Sequence, residues 1–422
     1  MIGAFFVRHY GALGETLYRR YWLGSIASVG GGRLVTLAQA WLVYELSGSA
    51  LALGYLGAAT AIPSIFITIY GGALADRLDR RFLIMVSSLA TAALYLLLAL
   101  LDLMEVVEVW HVLAIAALTS AISGVDGPAR QAFFPALISR DLLMSAVALN
   151  SIIWQSTRMV LPAIGGVLIA LTDTWLNFLL GMAGYLTLFV VMATIRIRVP
   201  RREVLVSSLQ HVIEGVRFIL NTRLFLVLIT WSYIGMFFGN SYAELMPAFA
   251  RMLEASERGY GLLISMGGVG SLIGTLIVGT FQGARRLGWI MLGGAAVSVV
   301  MLYGFSLTTA FAESPAAFYG ALFFVFAAAM FGQGFMISSM TVMQMNVPDE
   351  LRGRVMGLHS ITYSFMSLGA LMLGALADAT TPSIAVAISV SVYLFTLVTI
   401  GLTQPIIRHI DGEDLAVPAR AA

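Results

Sequence analysis

The chain has 422 residues, of which 59% are hydrophobic and only 11% charged, against about 25% charged in an average soluble protein. That balance excludes a water-soluble globule, and the apolar content excludes a disordered chain. Cysteine is absent, the five histidines are scattered and all 24 basic residues are Arg, so disulfides, thiolate chemistry, Cys-ligated metals, Schiff bases and P-loop nucleotide binding are excluded, and neither a metal nor a cofactor is expected.

The net charge of +2 says less than where the charge sits. Arg is concentrated in short connections between long apolar runs, the arrangement of a polytopic membrane protein. A helix needs about 20 apolar residues to cross a hydrocarbon core of ~30 Å. Twelve such runs follow in order: 22–46, 51–73, 82–101, 109–128, 144–172, 175–195, 223–249, 260–281, 289–308, 316–338, 357–377 and 384–404. The first is too long for a signal-peptide core and no small-residue cleavage site follows it, so it is expected to remain as a span. The runs are continuous rather than alternating, which excludes a strand barrel. The longest connection, 196–222, is Arg-rich and carries Leu209, Val212, Ile213, Val216 and Leu220 at helical spacing. It is expected to be a cytoplasmic, interfacial amphipathic helix. It would join an N-terminal six-helix bundle, 1–195, to a C-terminal one with a short cytoplasmic tail, 223–422.

With the N-terminus in the cytoplasm, all but four of the 24 Arg fall on that side, Arg130 and Arg140 after the fourth run among them. The outer loops keep Arg251 and Arg258, and Arg33 and Arg158 lie inside runs. Both termini are therefore expected to face the cytoplasm from the inner membrane of the cell. An internal repeat supports two halves. Residues 141–173 align with 350–382, and DLLMSAVALNSI meets ELRGRVMGLHSI ahead of the fifth run of each half.

The loop after the second run reads GGALADRLDRR, 71–81. It resembles the signature loop of the major facilitator superfamily. Gly72, Leu74, Ala75, Asp76, Arg77, Arg80 and Arg81 match at the right spacing, and Asp79 replaces a second glycine. The same departure occurs in the branch of enterobactin-type siderophore exporters and macrolide efflux proteins. The resemblance implies a cytoplasmic latch: Asp76 near the N-terminus of the eleventh helix, and Arg77 and Arg81 paired with acids at neighbouring helix ends. In the fifth run, RMVLPAIGG resembles an exporter element of the superfamily, with Pro162, Gly165 and Gly166 matching and Leu161 standing for a glycine; it implies a bending point. VPDELRGRVMGL, 347–358, resembles the same branch, and Arg352 and Arg354 would be the second half's gate residues. The C-half counterpart of the signature loop, QGARRLG at 282–288, has lost the acid.

Ionisable groups inside spans are costly and usually functional. Glu244 in the seventh run, beside Asn240, is the first candidate for proton coupling; Asp126 near the inner end of the fourth is the second, and its inner-end position also suits a gate partner for a nearby Arg. Arg33 and Arg158 hold their charge permanently: Arg33 is a candidate contact for an anionic substrate group, and Arg158 suits a structural or gating role. Gln39, Trp41, Tyr233, Asn240, Gln333, His359 and Tyr363 are further candidates to line an amphipathic cavity. His359 falls opposite Asn150 in the repeat, which favours a cavity or gate position over a metal ligand.

The sum is an all-α membrane protein of twelve transmembrane helices in two pseudo-symmetric halves, the major facilitator fold. It is expected to work by alternating access, exporting a siderophore or drug-like amphipathic molecule in exchange for protons. The expected partners are that small molecule, protons and the bilayer, with no nucleic acid and a monomeric chain. An importer or a lysophospholipid flippase of the same fold shares almost every feature. A membrane-embedded enzyme needs a polar catalytic cluster that the sequence lacks, and a non-transporting scaffold usually adds a soluble domain.

Overall fold

The computed structural model describes residues 11–77, 79–195, 197, 208–281, 286–312 and 315–411; the side chains of 68–77, 208–212 and 315 lie outside that description. Among the described residues sixteen α-helices follow in chain order. In the first half these are α1 (Thr16–Ser47), α2 (Ala50–Arg77), α3 (Arg80–Leu103), α4 (Val109–Phe133), α5 (Leu143–Thr172) and α6 (Trp175–Thr194). Then follow α7 (Ser208–Asn221), α8 (Arg223–Ile234), α9 (Met246–Met252), α10 (Glu257–Phe281), α11 (Leu287–Ala310), α12 (Pro315–Asn346), α13 (Asp349–Ser360), α14 (Thr362–Ala379), α15 (Pro382–Thr403) and α16 (Pro405–Arg408). Twelve stretches among them are long and apolar enough to cross a membrane. The chain is an all-α, multi-pass membrane protein.

Two spans are not single helices. The seventh runs α8, a π turn (Gly235–Asn240), a 3-10 turn (Ser241–Leu245) and α9. The eleventh joins α13 to α14 at Ile361. Where a ladder of i→i−4 bonds is interrupted, the freed groups need other partners. Asn240 Nδ2 donates to the Gly235 carbonyl at 3.3 Å, and Ser389 Oγ to the Phe238 carbonyl at 2.8 Å.

The helices fall into two units. The first holds Met1–Gly48 and Ala59–Leu209, the second Ser49–Ala58 and Gln210–Ala422. One end of the first is closed by a core of Tyr18, Tyr21, Ile84, Phe133, Leu149, Leu188 and Met192. Two bonds fasten α1 to α5 there: the Tyr18 hydroxyl donates to the Ala146 carbonyl at 3.0 Å and the Trp22 indole to the Leu149 carbonyl at 3.2 Å. In the second unit Trp231 stacks on Phe335 at 4.0 Å and donates to the Tyr393 hydroxyl at 3.3 Å. Helix α7 belongs to this unit. Its Glu214 forms an ion pair with Arg354 of α13, while Ile213, Val216 and Leu220 are exposed, as suits a helix whose apolar face meets lipid.

Candidate functional site

In the first unit, α4 carries Asp126 and Arg130 one turn apart, so both side chains project from the same face. Arg130 Nε donates to Asp126 Oδ2 at 2.5 Å, and Nη1 donates to Ser28 Oγ of α1 at 2.9 Å. The guanidinium also lies over the Tyr185 ring of α6 at 5.8 Å, and Tyr185 meets Tyr95 of α3 edge-on at 5.6 Å. One cation thus touches three helices. Asp126 is 8% exposed, and its Oδ1 together with Arg130 Nη2 is buried without a hydrogen-bond partner among the described residues. A buried ion pair with one open acceptor and one open donor is an incomplete polar network. Such atoms call for a water, a proton or a ligand group.

The pair corrects the reading of the sequence at one point. Arg130 was counted with a cytoplasmic connection because the apolar run ends at 128. Helix α4 in fact continues through Pro128 to Phe133 and carries Arg130 inward. The remaining candidates of this unit are spread along the spans. Arg33 lies over the Trp154 ring of α5 at 5.3 Å. Gln39 and Trp41 are buried, and Gln39 Nε2 has no partner among the described residues. Arg158 is exposed. Pro162 sits inside an unbroken α5, and Gly165 offers its carbonyl to Asn177 Nδ2 at 3.2 Å while a Cβ in its place would meet Leu37 at 2.5 Å. Gly166 is buried beside it.

The signature loop is only partly in view. The side chains of Gly72, Asp76 and Arg77 lie outside the described residues. Arg81 donates through Nε to the Met192 carbonyl at 2.9 Å and through Nη2 to the Ala193 carbonyl at 3.0 Å, and Arg80 donates to the Ala132 carbonyl at 3.1 Å. The expected acid partner of Arg81 is therefore replaced by the carbonyl end of α6, whose partial negative charge attracts a cation equally well. Asp79, the departure from the signature, caps α3 by accepting from Phe82 N–H at 3.1 Å.

In the second unit Glu244 sits in the 3-10 turn of the seventh span, half-buried, and accepts from Ser367 Oγ of α14 at 3.0 Å. Tyr233 donates to the Leu358 carbonyl at 2.8 Å and stacks on Phe365 at 4.3 Å. His359 is buried, Gln333 half-buried, Asn240 and Tyr363 exposed. Arg352 pairs with Asp349 at 2.6 Å, within α13, and Arg354 with Glu214. A further contact had no place in the sequence reading. Asp378, at the end of α14, accepts from Ser49 Oγ at 2.5 Å and from the backbone N–H of Ala50 at 2.8 Å and of Leu51 at 3.3 Å, the first turn of α2. The signal was present: Gly-Ala-Leu-Ala-Asp occurs twice, at 72–76 and at 374–378.

Known proteins share this architecture. The bacterial homologue of the lysosomal transporter Spinster, in its inward-facing and unoccupied form, superposes with a TM-score of 0.71 at 14% identity over 95% of this chain and 97% of its own. A bacterial homologue of the iron transporter ferroportin gives 0.70 at 15% identity over 91% and 98%; at these identities the likeness is of fold. The enterobactin exporter EntS of Salmonella typhimurium is 28% identical, covering 79% of this chain and 78% of its own. The multidrug efflux pump Tap of Mycolicibacterium fortuitum is 27% identical over 91% and 95%, and the staphyloferrin A transporter of Staphylococcus aureus 23% over 80% and 84%. Residues 8–420 match the family described as transmembrane secretion effector. Twelve spans, no strand among the described residues and a family match over nearly the whole length make this chain a membrane transporter of the major facilitator superfamily, in its transmembrane secretion effector family.

Proposed function

We propose that the chain exports an amphipathic small molecule, a siderophore or a drug-like compound, in exchange for protons, working as a monomer in the inner membrane with both termini cytoplasmic. The names of the relatives support the substrate class. The observation that carries the coupling is the enclosed Asp126–Arg130 pair.

Paired with Arg130, Asp126 is ionised. A proton arriving on its open oxygen neutralises it and leaves Arg130 buried without its counterion, a costly arrangement. Among the described residues Arg130 then keeps Ser28 and the Tyr185 ring. The protonation state of Asp126 is thereby felt on α1, α4 and α6 together. One proton taken up from outside and released inside returns the empty carrier; the loaded carrier moves outward with the pair intact. An inward proton is worth about 2.3 kcal/mol per 100 mV. Glu244, held by Ser367, is the second candidate for the same role.

The test is a proteoliposome assay with an imposed pH gradient over catecholate and carboxylate siderophores, macrolides and lysophospholipids. Asp126→Asn is expected to abolish gradient-driven flux while substrate exchange at equilibrium persists. Undiminished gradient-driven flux removes the role from Asp126, and the same result lost in Glu244→Gln moves it there. Inverted against right-side-out vesicles separates export from import.

A further inference from the structure

Beyond the transport site, we infer that the second unit holds a binding site for a phosphodiester monoanion, of the kind an acidic phospholipid headgroup presents. The site is a cavity of about 580 Å³ walled by Arg286, Trp289, Arg408, His409, Ile410 and Asp411. Two distant stretches of chain build it: the start of α11 and the turn that follows α16. Their backbones are locked together, because Gly288 N–H donates to the Ile410 carbonyl at 3.1 Å. A Cβ at Gly288 would stand 1.7 Å from the Ile407 carbonyl oxygen, so only glycine allows this approach. The two guanidiniums are therefore brought to one cavity by fixed backbone rather than by chance encounters of flexible side chains.

Three observations point to an anion. Arg408 Nε is buried and has no hydrogen-bond partner among the described residues. A buried guanidinium N–H is expensive to leave unpaired, and phosphate oxygens are its strongest acceptors. Arg286, with a left-handed backbone of φ 61°, is the N-cap of the 24-residue α11 and brings a second guanidinium to the wall, while the Ile410 carbonyl takes the Gly288 N–H of that helix end. The third is depth: α11 begins and α15 ends here, so the cavity lies where spans leave the hydrocarbon. Trp289 is 53% exposed in its wall, as aromatic residues are at headgroup level. Asp411, also in the wall, makes an interaction of its own. Among the described residues the wall holds two Arg and one Asp, which suits a singly charged diester better than a polyphosphate. The Arg distribution places this end in the cytoplasmic leaflet, where acidic lipids and basic pockets between spans meet.

Native mass spectrometry of the purified full chain tests this, with dioleoyl-phosphatidylglycerol, dioleoyl-phosphatidylcholine and inorganic phosphate as probes. Wild type is expected to keep one phosphatidylglycerol under conditions that strip phosphatidylcholine. Arg286→Gln with Arg408→Gln is expected to weaken that retention about 10-fold or more, and the paired Lys variant to keep most of it. Displacement of the lipid by millimolar inorganic phosphate assigns the site to the free anion; lipid retained against phosphate assigns it to the headgroup. Equal retention of the two lipids by wild type, or undiminished phosphatidylglycerol binding in the Gln variant, overturns the site. Wild type alone decides between the lipids should the Gln variant fail to fold.

Discussion

Arg130 satisfies Asp126, Ser28 and the Tyr185 ring at once, so it should be the least replaceable residue of the first unit. Removing one member of a buried ion pair strands the other and costs about 3–5 kcal/mol, whereas replacing both with apolar groups of similar volume is often neutral. Asp126→Ala is therefore expected to lower the thermal midpoint of the detergent-purified protein. Asp126→Leu combined with Arg130→Met should recover most of that loss while gradient-driven transport stays absent. A double variant as unstable as the single one would show that the charges are not what holds α4 in place. Asp126 was legible in the sequence as an acid inside an apolar run. Arg130 was equally legible in principle, as the i+4 partner of that acid. Gly127 and Pro128 disguised it by ending the apolar run, although the helix runs on. The carbonyl partners of Arg81 were not legible at all, since backbone acceptors leave no trace in composition.

Helices in lipid gain little from burying apolar surface against each other, so close approach must be permitted by missing side chains. Helix α10 shows this where it crosses α12. A Cβ at Gly270 would stand 2.2 Å from the Phe326 carbonyl oxygen, and one at Gly274 2.2 Å from that of Met330, whereas Gly279 on the same helix has nothing within 4 Å. Gly274→Val should abolish the monodisperse peak in size-exclusion chromatography, and Gly279→Val should leave it unchanged; equal behaviour of the two would mean that the crossing is looser than it looks. The start of α2 is held by a different device, the Asp378 carboxylate over its first N–H groups and Ser49. A lost N-terminal cap costs about 1 kcal/mol. Asp378→Ala is expected to cost about 1 kcal/mol, seen as a lowered unfolding midpoint in tryptophan fluorescence on heating, and Ser49→Ala to lower it less. No change in the Asp378 variant would make the cap ornamental.

Across the whole molecule, the twelve spans could be read from apolar runs because the hydrocarbon thickness fixes how many apolar residues a helix must supply. The breaks in the seventh and eleventh spans could not. Polar residues flank them, Asn240, Ser241 and Glu244 in one and His359 and Ser360 in the other, yet a polar side chain inside a span does not by itself interrupt a helix. Close packing accompanies the break, since a Cβ at Gly369 would stand 2.2 Å from the Phe237 carbonyl oxygen, inside the π turn. Sidedness is the one global property that Arg placement alone predicts, and the cysteine-free sequence makes it measurable with single introduced thiols. Glu105 and Glu254 lie in exposed turns after α3 and α9; Ser139 and Arg352 are exposed between α4 and α5 and on α13. Cysteines at 105 and 254 should react with a membrane-impermeant maleimide on intact cells, and those at 139 and 352 only after permeabilisation. The pairing of 105 with 139 matters most, because only α4 and the short turns beside it separate them. If both react from the same side, α4 does not cross, the number of crossings becomes odd, and the two ends of the chain must lie on opposite faces. If they react from opposite sides, the buried Asp126–Arg130 pair lies within a true span, where a charge needs its partner.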